Sequence, residues 1–207
     1  MTDIQKILDA NQRTFPFPRD ELDRTQARRW ITRYAKRGGI GAEIGVFRGH
    51  FSEVLLNELA PKRLFLVDAW ELQGSSFGWS DAYTCHDTLT PEFARREAEL
   101  RSALYPSTSV AIVKSWFPDC EADFDEQLDW IYLDTSHFFE NTRKELLAAA
   151  RLIAPAGVIM GDDWQSQVTH PHHGVFRAVT EFTKNEPFEI VAAGPHGQWC
   201  LRRCGSY

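Results

Sequence analysis

Cysteine is scarce and unpatterned in this chain. The four, at positions 85, 120, 200 and 204, form no CxxC and no regular framework, which excludes a disulfide-stapled fold and leaves free thiols as the expected state. Basic charge is also in short supply: 23 Lys and Arg stand against 29 Asp and Glu, for a net charge of −6. Phosphate neutralisation needs clustered cations, so a nucleic-acid partner is not expected. The short runs RRW at 28–30 and RRCGSY at the end read as solvated or capping. No stretch approaches 18 apolar residues, and MTDIQKILDA at the start has no apolar signal core. Neither a membrane span nor an export signal is expected, and the protein reads as cytoplasmic. Internal repeats and low-complexity segments are missing too.

The composition that remains, 43% hydrophobic and 25% charged over 207 residues, is that of a soluble globular protein large enough to bury a core without staples. Residues 3–11 and 25–36 have helical spacing and are separated by the proline-containing NQRTFPFPRD, which predicts a short N-terminal helical cap over 1–37. Strands and helices then alternate. Strands are expected at 40–46, 63–68, 108–114, up to Asp134, up to about Gly161, at 188–193 and at 197–203; helices at 50–60, 91–104, weakly at 118–126, at 141–152 and at 174–185. The pattern predicts an α/β fold over 38–207, a mostly parallel seven-stranded sheet with helices on both faces. The turn-like AAGPHG makes the last strand antiparallel. The stretch 69–90, with Gly74, Gly78, three serines and several aromatics, is long for a loop and is expected to act as a lid whose aromatics cover a ligand.

Two apolar runs end abruptly in acid: LDWIYLDTSH at Asp134, with His137 three residues on, and GVIMGDDW at Asp162 and Asp163. Buried parallel strands that end in this way bring their carboxylates to one rim of a sheet. Three carboxylates make an all-oxygen set suited to Mg²⁺, Mn²⁺ or Ca²⁺ and not to zinc, and His137 beside them is a candidate general base. A lone Asp at a strand end also serves as an ordinary helix cap; the four residues together are harder to explain that way. The run THPHHG adds His170, His172 and His173 without regular ligand spacing, and both substrate contact and metal binding stay open for it.

The first strand ends in AEIGVFRGHFS, where Glu43, Gly45 and Gly49 form E-x-G-x-x-x-G at the strand-to-helix turn. Glycines there let backbone approach a ligand. Asp68, 23 residues beyond Gly45, ends the next strand, where a carboxylate accepts from ribose hydroxyls. A dinucleotide and S-adenosylmethionine (SAM) both carry such a ribose. Phe47 and Arg48 sit where a pyrophosphate needs close approach, so the spacing favours SAM over NAD.

On these motifs, together with VDAW after the second strand, the chain from about 38 to 203 resembles the class I SAM-dependent methyltransferases, with their Rossmann-like fold. Within that class it is similar to the metal-dependent small-molecule O-methyltransferases, foremost the sugar O-methyltransferases that tailor macrolides (macrocin and mycinamicin type), and more distantly catechol O-methyltransferase. The resemblance implies that Glu43, Gly45, Gly49 and Ser52 border the methionine end of SAM, that Asp68 holds the ribose, and that Ser115 and Trp116 lie near the adenine. Many relatives have an acid just before that serine; this chain has Lys114. It further implies Asp134, Asp162 and Asp163 as ligands of Mg²⁺ (or Mn²⁺ or Ca²⁺), with Asp134 and His137 as the catalytic pair and His137 as the base, a place held by Lys in the catechol enzymes. The larger macrolide enzymes carry additional N-terminal sequence, where this chain has its short cap. The expected activity is metal-dependent methyl transfer to a hydroxyl of a small molecule, a sugar or sugar-bearing metabolite first. A catechol-like phenol, or a SAM-binding protein without turnover, are the alternatives. The cap helices are expected to form a homo-oligomer contact or a lid.

Overall fold

The computed structural model describes residues 2–77 and 81–205. Helix α1 spans Asp3–Thr14, its first turn capped by the Thr2 hydroxyl, which accepts from the Gln5 amide at 3.2 Å. Helix α2 (Arg19–Ala27) starts directly after Pro18 and tightens into a 3-10 helix over Arg28–Tyr34. The expected helix at 25–36 is therefore replaced by an earlier α-helix and a tighter continuation. The Thr32 hydroxyl donates to the Arg29 carbonyl at 2.8 Å, a local bond that satisfies a tight turn at the expense of the α-helical ladder.

Seven strands follow: β1 Ile40–Ile44, β2 Arg63–Asp68, β3 Ser109–Lys114, β4 Leu128–Leu133, β5 Ile153–Gly161, β6 Phe188–Ala193 and β7 Trp199–Arg203. They are interleaved with α3 His50–Leu59, α4 Asp81–Thr84, α5 Pro91–Ser102, α6 Phe139–Leu152 and α7 His173–Asn185. They form one sheet in the order β3-β2-β1-β4-β5-β7-β6. Strands β1 to β5 pair in parallel, and β7 runs antiparallel to both β5 and β6. This is the expected Rossmann-like plan.

The alternation of side chains through the pleat builds a core on each face. Ala42, Ile44, Ile131, Leu133 and Ile159 pack with Leu146 and Ala149 of α6 and Val175, Val179 and Phe182 of α7. Leu64, Leu66, Trp130, Tyr132 and Met160 pack with Val54, Leu55 and Leu59 of α3, Ala94 and Ala98 of α5, and Ile31 of the cap. Because the central strands are covered on both faces, their sequences read as unbroken apolar runs. The chain order reverses between β1 and β4, which opens a crevice at the carboxyl ends of those two strands.

Two expectations need correction. The stretch 118–126 holds only a 3-10 turn, Glu121–Asp123, because the residues that reach the core, Cys120 and Phe124, stand alone in an otherwise polar run. The 69–90 loop is partly core: Trp70, Phe77 and Leu89 are buried against α3 and α5, and Gln73 closes a turn onto the Ser76 carbonyl at 2.7 Å. Gly78 of the expected lid lies outside the described residues. All four cysteines are free. Among the described residues no helix is long and apolar enough to cross a membrane.

Candidate active site

The crevice has two ends, one built on β1 and β2 and one on β4 and β5. Gly45 (φ 88°) leaves β1 so close to β4 that a methyl group there would collide with the Asp134 carbonyl oxygen. Only glycine fits, and the turn that follows is thereby held against the acid at the end of β4. Phe47 (φ 51°) and Gly49 (φ 74°) complete the turn, with the Gly49 amide donating to the Val46 carbonyl at 2.9 Å. Asp68 anchors it: one carboxylate oxygen accepts from the Val46 and Phe47 amides at 2.9 and 2.8 Å, the other from the Trp70 amide at 2.7 Å. Burial raises the Asp68 pKa against the pull of those three amides. Trp70 braces the turn from outside, its indole N–H donating to the Phe47 carbonyl at 2.8 Å.

Glu43, under the turn, is 1% exposed and accepts a short hydrogen bond from the Ser52 hydroxyl. Burial pushes its pKa up to about 8. Arg48 is turned away from the crevice and wholly buried, donating to Glu97 and to the Phe15 carbonyl at 2.9 Å. On the neighbouring strand Lys114 stands opposite Asp68, and the Ser115 amide donates to the Asp68 carbonyl at 3.0 Å. Trp116 is 54% exposed, with its indole N–H 3.3 Å from Glu71. Glu43, Gly45, Gly49, Asp68, Ser115 and Trp116 therefore lie along the carboxyl ends of β1, β2 and β3 or in the turn that leaves β1, and Ser52 lies in the first turn of α3.

At the other end, ladder bonds carry the strands up to the acids: the Asp134 amide donates to Ile44 at 2.8 Å and the Asp162 amide to Leu133 at 3.1 Å. Carboxylate oxygens of Asp134, Asp162 and Asp163 converge within 4.8 Å of one another. Around an octahedral divalent cation, ligand oxygens stand roughly 3 to 4 Å apart, so the donor type and the convergence both fit such an ion. Asp162 is fixed from behind. Its Oδ1 accepts from the Asp163 amide at 2.8 Å and from Gln198 at 2.6 Å, and Gln198 in turn accepts from the Tyr132 hydroxyl at 2.8 Å. Burial and the neighbouring Asp134 charge raise the Asp162 pKa to about 6.

His137 Nε2 lies 2.7 Å from Asp163 Oδ2, and His172 Nδ1 lies 2.9 Å from Asp163 Oδ1. The two imidazoles stack at 3.8 Å. Burial works to lower the His137 pKa, but the Asp163 hydrogen bond and the charges of Asp163, Asp134 and Asp162 outweigh it and raise the value above the ordinary one. For Asp163, burial is likewise outweighed by His137 and His172, which hold the carboxyl well below the usual range. Of the three histidines in THPHHG only His172 reaches the acids. His170 packs edge-on to it at 5.2 Å, and His173 contacts the Gln165 carbonyl at 3.0 Å.

The largest departure from the sequence reading is at the cap. Arg28, read there as solvated or capping, is buried in the acid cluster. Its Nη1 donates to Asp134 Oδ2 at 2.9 Å and to Asp162 Oδ2, and its guanidinium lies 4.5 Å over the Phe51 ring. Arg24 Nη2 donates to Asp162 Oδ2 at 2.7 Å and stands 3.9 Å from Asp163 Oδ1. A faint signal was present: 24 and 28 are four apart, one turn of the same helical face.

A family profile described as a methyltransferase domain matches residues 42–164, which run from β1 through both acid-tipped strands. The chain belongs to this methyltransferase family. No curated protein matches the sequence. Among solved structures, the methyltransferase is similar to an O-methyltransferase from Bacillus cereus in complex with S-adenosylhomocysteine (SAH), at 17% identity and a TM-score of 0.57, covering 97% of this chain and 90% of that one. It is similar also to TomG of Streptomyces achromogenes, an O-methyltransferase of tomaymycin synthesis in complex with SAM, at 16% identity and 0.57, covering 99% and 91%. An rRNA methylase from Streptococcus thermophilus matches at 10% and 0.55, covering 86% and 95%. At such identities the likeness shows the fold, and the fold is shared by enzymes with different acceptors.

Proposed function

We propose that this methyltransferase transfers a methyl group from SAM to a hydroxyl of a small molecule, with a divalent cation at Asp134, Asp162 and Asp163 and with a sugar or sugar-bearing metabolite as the acceptor. The observation that carries this reading is the 2.7 Å contact of His137 with Asp163 at the edge of the three-carboxylate cluster, next to the Gly45 turn. A net charge of −6 supports a small acceptor over nucleic acid.

In this reading the β1 and β2 ends hold the methyl donor. Backbone at Gly45 and Gly49 makes room for its methionine portion beside Glu43 and Ser52. Asp68 uses one carboxylate oxygen to clamp the turn and keeps a free lone pair on the other for a ribose hydroxyl. The exposed Trp116 ring provides a flat apolar face for the adenine.

SAM supplies an electrophilic methyl on a sulfonium, and a bound cation supplies Lewis acidity that lowers the pKa of a neighbouring hydroxyl. The remaining work falls to the chain. Asp163 accepts from His137 Nε2, which fixes the tautomer with the lone pair on Nδ1. That nitrogen takes the acceptor's proton as its oxygen attacks. Asp163 also stabilises the imidazolium that results, as a carboxylate does for histidine in hydrolase triads. Holding oxygen and methyl within roughly 3 to 3.5 Å contributes about 7 to 11 kcal/mol. Calorimetric titration of the protein with SAH and with NADH tests the cofactor half of the reading. Saturable SAH binding and no response to NADH is expected; the reverse would assign the Gly45 turn to a dinucleotide.

A further inference from the structure

The cap arginines bond the same oxygens that the acids would offer to a cation. Arg28 takes Asp134 Oδ2 and Asp162 Oδ2, and Arg24 takes Asp162 Oδ2 and approaches Asp163 Oδ1. The other oxygen of Asp162 is saturated by the Asp163 amide and Gln198. A divalent ion bound through these carboxylates would stand within a few ångströms of two guanidinium charges, and like charges at that range repel strongly where water is scarce. Asp162 and Asp163 are nearly closed off, at 4% and 8% exposed, while Asp134 keeps 26% of its side chain open.

The segment that carries the arginines is lightly held. Thr25 is the one buried residue of α2. The helix has no side-chain N-cap, its apolar Leu22 and Ala27 are only half-buried, and Arg24 ties it to Asp162. Arg28, Ile31 and Thr32 of the following 3-10 helix are buried, which seats this part more firmly than α2.

We propose that Arg24 and Arg28 are positioning residues that compete with the divalent cation for the acid cluster, so that cation binding releases α2 from the crevice and opens the acceptor's way in. Guanidinium and cation exclude one another at Asp162 Oδ2, and the coupling is reciprocal: the arginine contacts weaken the cation by the factor by which the cation weakens them, so loosening those contacts tightens the cation. Arg24, with a third of its side chain exposed, is the member able to swing into solvent. Arg28 is buried with its guanidinium over Phe51; it has to give up its Nη1 bonds to Asp134 and Asp162 when the cation binds, and its part is to lower the cation's affinity.

The inference rests on the cation assignment made above, and the test separates the two. Mn²⁺ binding to the full chain is measured by electron paramagnetic resonance for the native protein, Arg24→Gln, Arg24→Lys and Asp162→Asn, and hydrogen exchange of residues 19–34 is followed with and without Mn²⁺. Arg24→Gln should bind Mn²⁺ about tenfold more tightly than native, Arg24→Lys should return towards the native value, and Asp162→Asn should lose binding. Amides of 19–27 in the native protein should exchange faster when Mn²⁺ is bound. A purely structural Arg24 would leave the affinity unchanged or weaken it. That result, or unchanged exchange on Mn²⁺ binding, overturns the competition while leaving the cation site standing. Failure of native and Arg24→Gln alike to bind Mn²⁺ overturns both.

Discussion

His137 Nε2 and Asp163 Oδ2 stand 2.7 Å apart, and the same Asp163 is approached from its other oxygen by His172 at 2.9 Å. A carboxylate shared in this way holds one imidazole in a fixed tautomer and raises its affinity for a proton. The His137 pKa therefore lies above 6.5, and a base that works when neutral gains activity as the pH rises past that point. His137→Ala should lower kcat by about 10² to 10⁴ with SAH affinity nearly intact, and should lose the rising limb of the pH profile. Asp163→Asn removes the largest interaction raising the His137 pKa, and because it also removes a proposed cation ligand the effect is read by NMR titration of the imidazole, which should move to lower pH. A His137→Ala enzyme with the native rate and profile on its true acceptor would make the imidazole structural.

Asp68 does two jobs in this account, and they separate by measurement. Asp68→Ala leaves three amides without their acceptor, a loss of about 1 to 3 kcal/mol for each that stays shielded from water. It should also weaken SAH binding tenfold or more. Denaturant unfolding and calorimetry read the two effects independently. Lower stability with unchanged SAH affinity would confine Asp68 to bracing the turn.

Most of the frame was legible because burial on both faces writes itself into the sequence. LDWIYLD and GVIMGDD are apolar until the strand leaves the core, and the acids appear where it does. The antiparallel last strand followed from the short AAGPHG connection. The cap was harder. A polar segment with arginines at 24 and 28 looks like any solvated helix, and only the fold reveals that this face lies against three carboxylates. Trp70 and Phe77 likewise looked like lid aromatics, because a loop side chain shows its burial only once α3 and α5 are in place. His172 could not be told from His170 and His173, since the loop's path selects which ring meets Asp163.

Cation dependence has a plain outcome. Turnover should disappear in EDTA and return with Mg²⁺ or Mn²⁺, and Asp162→Asn should fail to recover. Full turnover in chelator would remove the cation from the account and leave the arginines as permanent partners of the acids.

Glu145 offers a stability test outside the carboxylate cluster. It is 5% exposed, accepts from the Thr135 hydroxyl at 2.7 Å, and burial raises its pKa from 4.5 to about 7. A carboxyl whose folded pKa is raised contributes stability that is fully present below about 4.5 and is lost as the pH climbs through 7, where the buried group must ionise. The loss amounts to roughly 3 kcal/mol at most. Glu145→Gln should flatten the dependence of unfolding free energy on pH between 4.5 and 7 and be the more stable protein at pH 8. An unchanged slope in the variant would show that Glu145 ionises freely in the folded chain.

The most direct measurement is mass spectrometry of products after incubating the protein with methyl-labelled SAM, Mg²⁺ and a panel of sugars, glycosides and catechols. The account predicts a single labelled methyl on one hydroxyl of a sugar-bearing acceptor, formed in the presence of Mg²⁺ and not in EDTA. Label transferred to nitrogen, carbon or RNA, or SAM bound with no transfer to any hydroxyl, would contradict it.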